Sequence, residues 1–252
     1  MAVTLGIVMT LVLCATLSGC KQLGKERFVM EMDIEQEIIQ LKQRLDQKDQ
    51  QIERLLREQG SIYTRWGRTV CPSNGTELVY SGYMAGTYHT SIQGHDQGSG
   101  ANYLCLAAQP VWDHFSETAN NVITVTGVEY QFYQHSVQNH DLPAFLGTDV
   151  HNAEAPCAVC RSSRSTNVMI PGRMECYPGW TKEYSGYLVG AYSGYDDSSE
   201  YICLDRRPEV VANSGRADKD NMLFFVEARC GGSLECPPYV DNRELPCVVC
   251  SF

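Results

Sequence analysis

A seven-residue repeat of apolar side chains runs through residues 33–58, a segment that contains neither Gly nor Pro. Apolar residues occupy positions a and d of this repeat, with Lys48 as the one polar exception. They are Ile34, Ile38, Leu41, Leu45, Ile52 and Leu55. Such a narrow apolar stripe is typical of helices that associate as a coiled coil. The pattern therefore predicts an α-helical coiled-coil stalk over residues 21–60, through which copies of the chain associate.

Charged residues beside this stripe favour a parallel arrangement of the helices. In a parallel pair, Glu37 of one helix faces Lys42 of the other, and Arg44 faces Asp49, so both contacts join opposite charges. Ile at position a and Leu at position d lean toward two strands, but few positions are filled, so dimer and trimer both stay open. A single amphipathic helix that folds onto the rest of the chain is the alternative.

The pattern changes after residue 60, where short runs rich in β-branched and aromatic residues are separated by Gly, Pro, Asn and Ser. Runs of this kind are typical of β-strands, and no helical period of useful length follows residue 60. The runs are Glu77–Met84, Asn102–Leu106, Val122–Thr126, Val128–Tyr133, Thr166–Ile170 and Met222–Ala228. We therefore expect a mostly β fold for this part of the chain.

Landmarks in this β-rich region occur twice and in the same order. The motif YSGY appears at residues 80–83 and again at residues 184–187, and each copy of the region closes with a CxxC motif. Matching landmarks at several places indicate an internal duplication. The sequence thus predicts two tandem disulfide-rich β-repeats, over residues 61–165 and 166–252, that pack together about a pseudo-twofold axis.

The chain starts with an uncharged apolar segment, Ala2–Gly19, that ends in small residues. This composition predicts a signal peptide over residues 1–20. An uncleaved signal anchor is one alternative, because no Lys or Arg precedes the run and the run is long enough to cross a bilayer. A lipoprotein signal is another, with Cys20 as the lipidated residue. All three deliver the rest of the chain to an oxidising space, so we expect a secreted or extracellular protein.

Ten of the twelve cysteines lie beyond residue 70, and an even number in an oxidising space predicts a framework of disulfide bonds. The ten are Cys71, Cys105, Cys157, Cys160, Cys176, Cys203, Cys230, Cys236, Cys247 and Cys250. We expect each CxxC to pair with the two earlier cysteines of its own repeat, because a ring closed within CxxC is strained. The remaining two would close a local loop. A four-thiolate zinc site and a thioredoxin-like redox centre are the alternatives.

Acidic residues outnumber basic residues by 30 to 20, which gives a net charge of −10. A chain this acidic is a poor ligand for nucleic acid, whose binding depends on neutralising phosphates. The sequence contains no Walker loop, GxGxxG, HExxH or GxSxG motif. If all ten cysteines pair, none of them is left as a nucleophile. We therefore expect no enzymatic activity, no catalytic residue and no cofactor.

The six histidines form one candidate site, because all of them lie in the first repeat. They are His89, His95, His114, His135, His140 and His151. The last three, together with Asp141 or Asp149, could form a metal or catalytic site. No two histidines have the spacing of one helical turn, and most lie in polar, loop-like sequence. Solvated loop residues are therefore the favoured interpretation, and a metal site is not expected.

Three further groups carry weaker signals. The oxygen-rich turns Gly94–Gly100 and Tyr195–Glu200 could hold calcium, but they lack the spacing of an EF-hand, so plain turns are favoured. Glu129 and Glu227 occupy equivalent strand positions and could form a glycosidase pair, although we favour positions that face solvent. Asn74 begins the sequon Asn-Gly-Thr, which predicts a glycan on a secreted eukaryotic protein.

Four long segments of the chain share a likeness to one family. They are WGRTVCPSNGTELVYSGYMAG, ANYLCL, PCAVCRSSRSTNVMIPGRMECYPGWTKEYSGYL and CPPYVDNRELPCVVC. Together they resemble the C-terminal non-collagenous domain of sponge-type short-chain collagens and of related secreted collagen-like or coiled-coil proteins of marine invertebrates. The resemblance spans residues 66–250 and implies a secreted, disulfide-bonded head on an oligomerising stem. The chain has no Gly-X-Y run, so the predicted coiled coil stands where a triple helix would.

The leading functional hypothesis is a secreted structural or adhesion protein whose β-head binds matrix partners and is oligomerised by the coiled coil. The alternative is a lectin-like recognition protein that binds glycans multivalently through tyrosine-lined loops. A secreted enzyme that uses the histidine-bearing loops is a third. Expected partners are further copies of the chain in a parallel dimer or trimer, and extracellular matrix proteins or glycans. A membrane partner is expected only if the leader is not cleaved.

Overall fold

The computed structural model describes residues 17–88, 100–114, 124–132, 142–195, 198–216, 218 and 221–252. The chain divides after Glu58 into a helical unit and a compact β unit that begins at Gln59. The predicted signal peptide therefore lies outside the described residues, apart from its last turn. Among the described residues, no helix is long and apolar enough to span a membrane.

One long helix, α1, makes up the described part of the helical unit and covers Leu17–Glu58. It begins well before the predicted heptads, because residues 21–32 contain good helix formers and a single Gly. The six predicted seam residues are each between 46 % and 61 % exposed in the isolated chain. In the part of the chain that the structure describes, their apolar stripe is uncovered.

The described residues of the β unit form eleven strands and one short helix. The strands are β1 (Ser61–Trp66), β2 (Thr76–Thr87), β3 (Leu104–Ala107), β4 (Val125–Gly127), β5 (Glu129–Tyr130), β6 (Pro156–Ser162), β7 (Asn167–Pro171), β8 (Thr181–Ala191), β9 (Ile202–Asp205), β10 (Met222–Phe225) and β11 (Pro246–Ser251). The short helix, α2 (Leu142–Leu146), lies between β5 and β6 in the chain.

The strands follow one hydrogen-bonded path, β3-β2-β6-β1-β9-β8-β10-β5. Off this path, β4 pairs with β2, and β11 pairs with both β7 and β8. All pairings are antiparallel except β1 with β9 and β10 with β5, which are parallel. The fold is thus mostly β, as predicted, and both parallel pairings join the first half of the β unit to the second.

The two halves of the β unit contain the same set of strand pairings. In the first half β6 lies between β1 and β2, and β2 also pairs with β3. In the second half β11 lies between β7 and β8, and β8 also pairs with β9. We call residues at the same place in these two sets corresponding positions. On this basis β1 corresponds to β7, β2 to β8, β3 to β9 and β6 to β11.

A core of aromatic and aliphatic side chains lies against the strands. The larger cluster contains Trp66, Tyr130 and Phe132, and Phe132 stacks on Phe225 with ring centroids 4.0 Å apart. A smaller cluster contains Tyr184 and cysteines of both halves. Burial of whole aromatic rings supplies much of the stabilisation in a small β fold, since each ring removes a large apolar area from water.

Two features of the β unit were not predicted. The short helix α2 was not predicted, because five residues are too few to show a helical period and the segment contains Pro143. The other is the direct pairing of β1 with β9, which joins both halves in one compact unit. The parallel contact between two edge strands leaves no sequence signal of its own.

Candidate functional site

Five disulfide bonds hold the β unit together. They are Cys71–Cys160, Cys105–Cys157, Cys176–Cys250, Cys203–Cys247 and Cys230–Cys236. Each CxxC motif thus pairs outward with the two earlier cysteines of its own half, in agreement with the expected arrangement. No cysteine in the described part of the β unit is free.

The CxxC motifs lie on strands β6 and β11, and this explains why they do not act as redox or zinc motifs. Side chains three residues apart in a strand point to opposite faces. Accordingly, Cys157 belongs to the larger core cluster and Cys160 to the smaller one. All four CxxC sulfurs are consumed in long-range bonds, so they offer no thiolate to a metal ion.

A buried carboxylate, Glu183 on β8, is the centre of a polar cluster between the halves. Its side chain is fully buried and accepts hydrogen bonds from Tyr63 (2.9 Å), Arg164 (2.6 Å) and Ser251 (2.5 Å). Burial disfavours its charge, but the hydrogen bonds from Arg164, Ser251 and Tyr63 outweigh that effect and hold the pKa of Glu183 below its usual value. Burial, and then the neighbouring Glu183, raises the pKa of Tyr63.

A second ion pair joins β1 to β9. The Arg65 guanidinium and the Asp205 carboxylate lie 2.7 Å apart, and both side chains are largely buried. The Tyr184 hydroxyl donates to the backbone carbonyls of Thr64 (3.2 Å) and Cys203 (2.9 Å), so it also bridges these strands. Burial raises the pKa of Tyr184, which therefore stays protonated and donates. These polar groups fix how the two halves meet.

A cleft of about 420 Å³ opens beside this contact between the halves. Its lining includes the aromatic rings of Tyr63, Trp66, Tyr103, Tyr184 and Tyr201, and the polar side chains of Asn102, Asn167 and Glu200. Aromatic faces beside amide and carboxylate groups are the combination that binds sugar rings or peptide side chains. The cleft is the candidate binding site of the β unit.

Individual groups in the cleft differ in their exposure. Tyr201 is 63 % exposed, whereas Tyr103 is buried. Burial raises the pKa of Tyr103 to about 12, so its hydroxyl is neutral at physiological pH. The Glu200 carboxylate accepts a hydrogen bond from the Tyr103 backbone N–H at 2.7 Å, which holds the two walls of the cleft together. Tyr201 is thus the aromatic ring of the cleft most accessible to a ligand.

The twin YSGY motifs divide between surface and core. Tyr80 and Tyr83 of the first copy are 37 % and 47 % exposed. In the second copy Tyr184 is buried, and the half-buried Tyr187 packs on Phe225. Surface contact and core packing were the two roles expected for these tyrosines. The first copy thus lies at the surface, and the second copy packs in the core.

Most of the predicted histidine site lies outside the described residues, which include only His114 and His151. Among the described residues there is no group of three or more metal-binding side chains. The central parts of both proposed calcium turns, residues 94–99 and 196–197, also lie outside them. No metal site can therefore be built from the part of the chain that the structure describes.

The expectation that Glu129 and Glu227 face solvent is wrong for Glu129. The residue is only 4 % exposed, and its carboxylate accepts a hydrogen bond from the Asp218 backbone N–H at 2.8 Å. Glu227 is exposed, as expected. Glu129 bridges to Glu154 and Glu227 to Glu244, so each glutamate stands in its own local strand pair.

Asn74, the predicted glycosylation site, lies in a turn that Gly75 makes at a φ of +87°. Its side-chain amide donates to the Lys182 carbonyl at 2.9 Å. The turn of the first half therefore contacts the long strand β8 of the second half.

A scan of the chain against models of known protein families finds no match. The sequence did not predict the roles of Arg65, Glu183 and Asp205. One signal was present, since Glu183 directly precedes the second YSGY motif, where the first copy has Val79. An acidic residue that replaces an apolar one in a repeated strand indicates a position with a different neighbour.

Proposed function

We propose that the chain is a secreted extracellular structural or adhesion protein, in which helix α1 joins several copies and the β unit binds matrix partners. In this proposal residues 1–20 are a signal peptide, α1 forms a parallel coiled coil, and the β unit consists of two tandem repeats. The proposal includes that the β unit is related to the non-collagenous head of short-chain collagens, which its sequence resembles.

The observation that carries the proposal is the disulfide framework. Five bonds with no free cysteine in the described β unit fit an oxidising, extracellular environment. Matching pairings support the duplication, since Cys71–Cys160 and Cys105–Cys157 correspond to Cys176–Cys250 and Cys203–Cys247. The uncovered stripe on α1 supports association, because an apolar stripe of this length is costly to leave in water.

Retention on a matrix tests the proposal. The full chain is secreted from eukaryotic cells and applied to the extracellular matrix that cultured cells deposit. A seam variant, Ile38→Glu with Leu45→Glu, places charges in the stripe while it keeps good helix formers. Because linked heads bind with avidity, the apparent affinity of the seam variant for the matrix should be about 100-fold lower than that of the native chain. The control is Ile39→Glu, which changes a neighbouring residue off the seam and should be retained normally.

Equal retention of the seam variant and the native chain would show that the stalk does not supply valency. No retention of the native chain would remove the adhesion proposal altogether. The native chain should keep its binding in the presence of simple sugars, because protein partners are the primary expectation.

The cleft beside the contact between the halves favours one second candidate, a lectin-like protein. Its exposed Tyr201 and the Asn102 amide could hold a sugar ring by stacking and hydrogen bonding. On an immobilised glycan array, Tyr201→Ala and Asn102→Ala should then each abolish binding. Tyr239→Ala, which alters a half-exposed tyrosine outside the cleft, should not. Absence of glycan binding by the native chain would rule this candidate out.

A further inference from the structure

One edge of each half is covered by the other half, whereas among the described residues its other edge has no strand beside it. Strand β9 of the second half pairs with β1 of the first half, with Leu204 opposite Trp66. The corresponding strands are β3 of the first half and β7 of the second. In the part of the chain that the structure describes, β3 pairs with β2 alone and β7 pairs with β11 alone.

Several residues on the paired edges are buried, whereas their counterparts on the unpaired edges are exposed. All four residues of β9 are buried. In β3, by contrast, Leu104 is 39 % exposed and Leu106 is 41 % exposed. Val168 on β7 is also 40 % exposed, whereas Tyr63 at the corresponding position of β1 is 7 % exposed. Both uncovered edges therefore present apolar side chains whose counterparts form an interface.

The residues that meet in the covered contact differ together from their counterparts at the uncovered edges. The ion pair Arg65–Asp205 corresponds to Ile170 on β7 and Ala107 on β3, by the shared strand registers. The uncovered edges therefore have Ile in the place of Arg65 and Ala in the place of its partner Asp205, so both members of the pair differ. One such change alone would leave a buried charge without a partner, which is costly.

A second pair of contacting residues differs in the same joint way between the covered and the uncovered edges. The buried hydrogen bond from Tyr63 to Glu183 corresponds to Val168 on β7 and Val79 on β2. Val79 and Glu183 both occupy the register shift in their long strands. Val79 is 54 % exposed, although Glu183 is buried. Both polar pairs of the covered contact thus correspond to pairs of apolar residues, which keeps the two uncovered edges complementary to each other.

The second parallel contact between the halves has an uncovered counterpart too. Leu223 on β10 is fully buried opposite Tyr130 of β5. The corresponding residue on β4 is Val125, by the pairing of β4 with β2 and of β10 with β8. Val125 is 51 % exposed. The uncovered edge of the first half therefore extends from β3 to β4.

We propose that β3 of one chain pairs with β7 of a second copy, in the way that β9 pairs with β1 within a chain. The contact is head-to-tail, because it joins two different edges, so each copy can bind a further copy through its remaining edge. A parallel coiled coil that holds the copies together would close this series into a ring. A second copy is the occupant because the chain itself carries both complementary edges. The inference rests on the proposed repeat, and it differs from a closed twofold arrangement, which would pair β3 with β7 inside one chain.

Transfer of the internal ion pair to the proposed interface tests the inference. The full chain with the seam variant Ile38→Glu and Leu45→Glu isolates association through the heads. Its mass is measured by sedimentation over a wide concentration range. Ala107→Asp should weaken this association by about 30-fold or more, because the charge enters an apolar interface without a partner. Adding Ile170→Arg recreates the Arg65–Asp205 pair between chains and should restore it to within about 5-fold.

Ala108→Asp is the matched control and should leave association unchanged, because its counterpart Arg206 stays exposed beside the covered contact. The inference is overturned if the seam variant stays monomeric, if Ala107→Asp and Ala108→Asp behave alike, or if Ile170→Arg gives no rescue. If the native chain associates but the seam variant is monomeric, the proposed coiled coil is supported and only the proposed β3–β7 interface is contradicted. A seam variant that stays associated and shows the rescue supports the interface even if the stalk adds nothing.

Discussion

Single residues in the repeated YSGY motifs show why the motif contains glycine. A Cβ atom at Gly186 would lie 1.7 Å from the Leu204 carbonyl oxygen, and one at Gly82 would lie 1.7 Å from the Leu106 carbonyl oxygen. Both neighbours are backbone atoms of the adjacent strand, so a side chain could enter only if the two strands moved apart. The glycine is needed for this close approach and for no unusual φ angle.

Gly186→Ala should therefore lower the free energy of unfolding of the β unit by about 3 kcal/mol, because β8 and β9 must separate in a close-packed region. Urea unfolding of the oxidised full chain measures the change. Gly232→Ala is the control, because no atom lies within 4 Å of the position that its Cβ atom would take, and little change is expected. Similar losses for the two variants would contradict the steric explanation.

Glu183 supplies a prediction that depends on pH. Its pKa is below the ordinary 4.5, so the stabilisation it provides is complete above that value and is lost as the pH falls through the lower, folded-state pKa. Glu183→Gln should cost about 2–3 kcal/mol at pH 7, since the partly buried Arg164 loses its charged partner. The difference from the native chain should shrink as the pH is lowered below 4.5.

Urea titrations of both chains between neutral and acid pH measure this difference. Glu175→Gln serves as the control, because the Glu175 carboxylate pairs with Lys182 on the surface and should contribute little. A stability difference for Glu183→Gln that is the same at every pH would show that its charge is unimportant.

At the scale of elements, the disulfides differ in the length of chain that they close. Cys105–Cys157 spans 52 residues and Cys230–Cys236 spans 6. In the chain-entropy model the longer loop stabilises by about 4 kcal/mol and the shorter by about 2 kcal/mol. Replacing both cysteines of the first bond by Ala should therefore lower the free energy of unfolding about twice as much as replacing both cysteines of the second. Thermal or urea unfolding without reductant measures both, and the reverse order would contradict the chain-entropy explanation.

The sequence predicted elements well where a local pattern existed. The runs at Glu77–Met84 and Thr166–Ile170 became β2 and β7, and the spacing of the cysteines indicated their outward pairing. Strand β1 was missed, because SIYTRW follows directly on the helical segment without a turn cluster. The contact between β1 and β9 was also missed, since a pairing between distant edge strands depends on tertiary packing.

The candidate site was less predictable than the fold, for the same reason. Glu183 and Arg164 come together only because β8 and the turn after β6 meet in space. The cleft likewise combines Asn102, Tyr201 and Asn167, which lie far apart in the sequence. The twin tyrosine motifs pointed to the right strands but could not show that one copy is exposed and the other buried.

At the scale of the whole molecule, we propose that a helix brings disulfide-bonded β units of several copies together. The proposal uses two separate surfaces, which are the apolar stripe on α1 and the edges β3 and β7 that are uncovered among the described residues. We propose that each of them binds another copy of the chain. Association through two surfaces would give the assembly more stability than either surface alone supplies.

Sedimentation equilibrium of the secreted, unreduced full chain gives its molar mass and so decides whether copies associate. We expect two or three times the mass of one chain, constant over the concentration range. The mass should be lower for Ile38→Glu with Leu45→Glu than for the control Ile39→Glu. A native chain that sediments as a monomer at every concentration would contradict the proposed association.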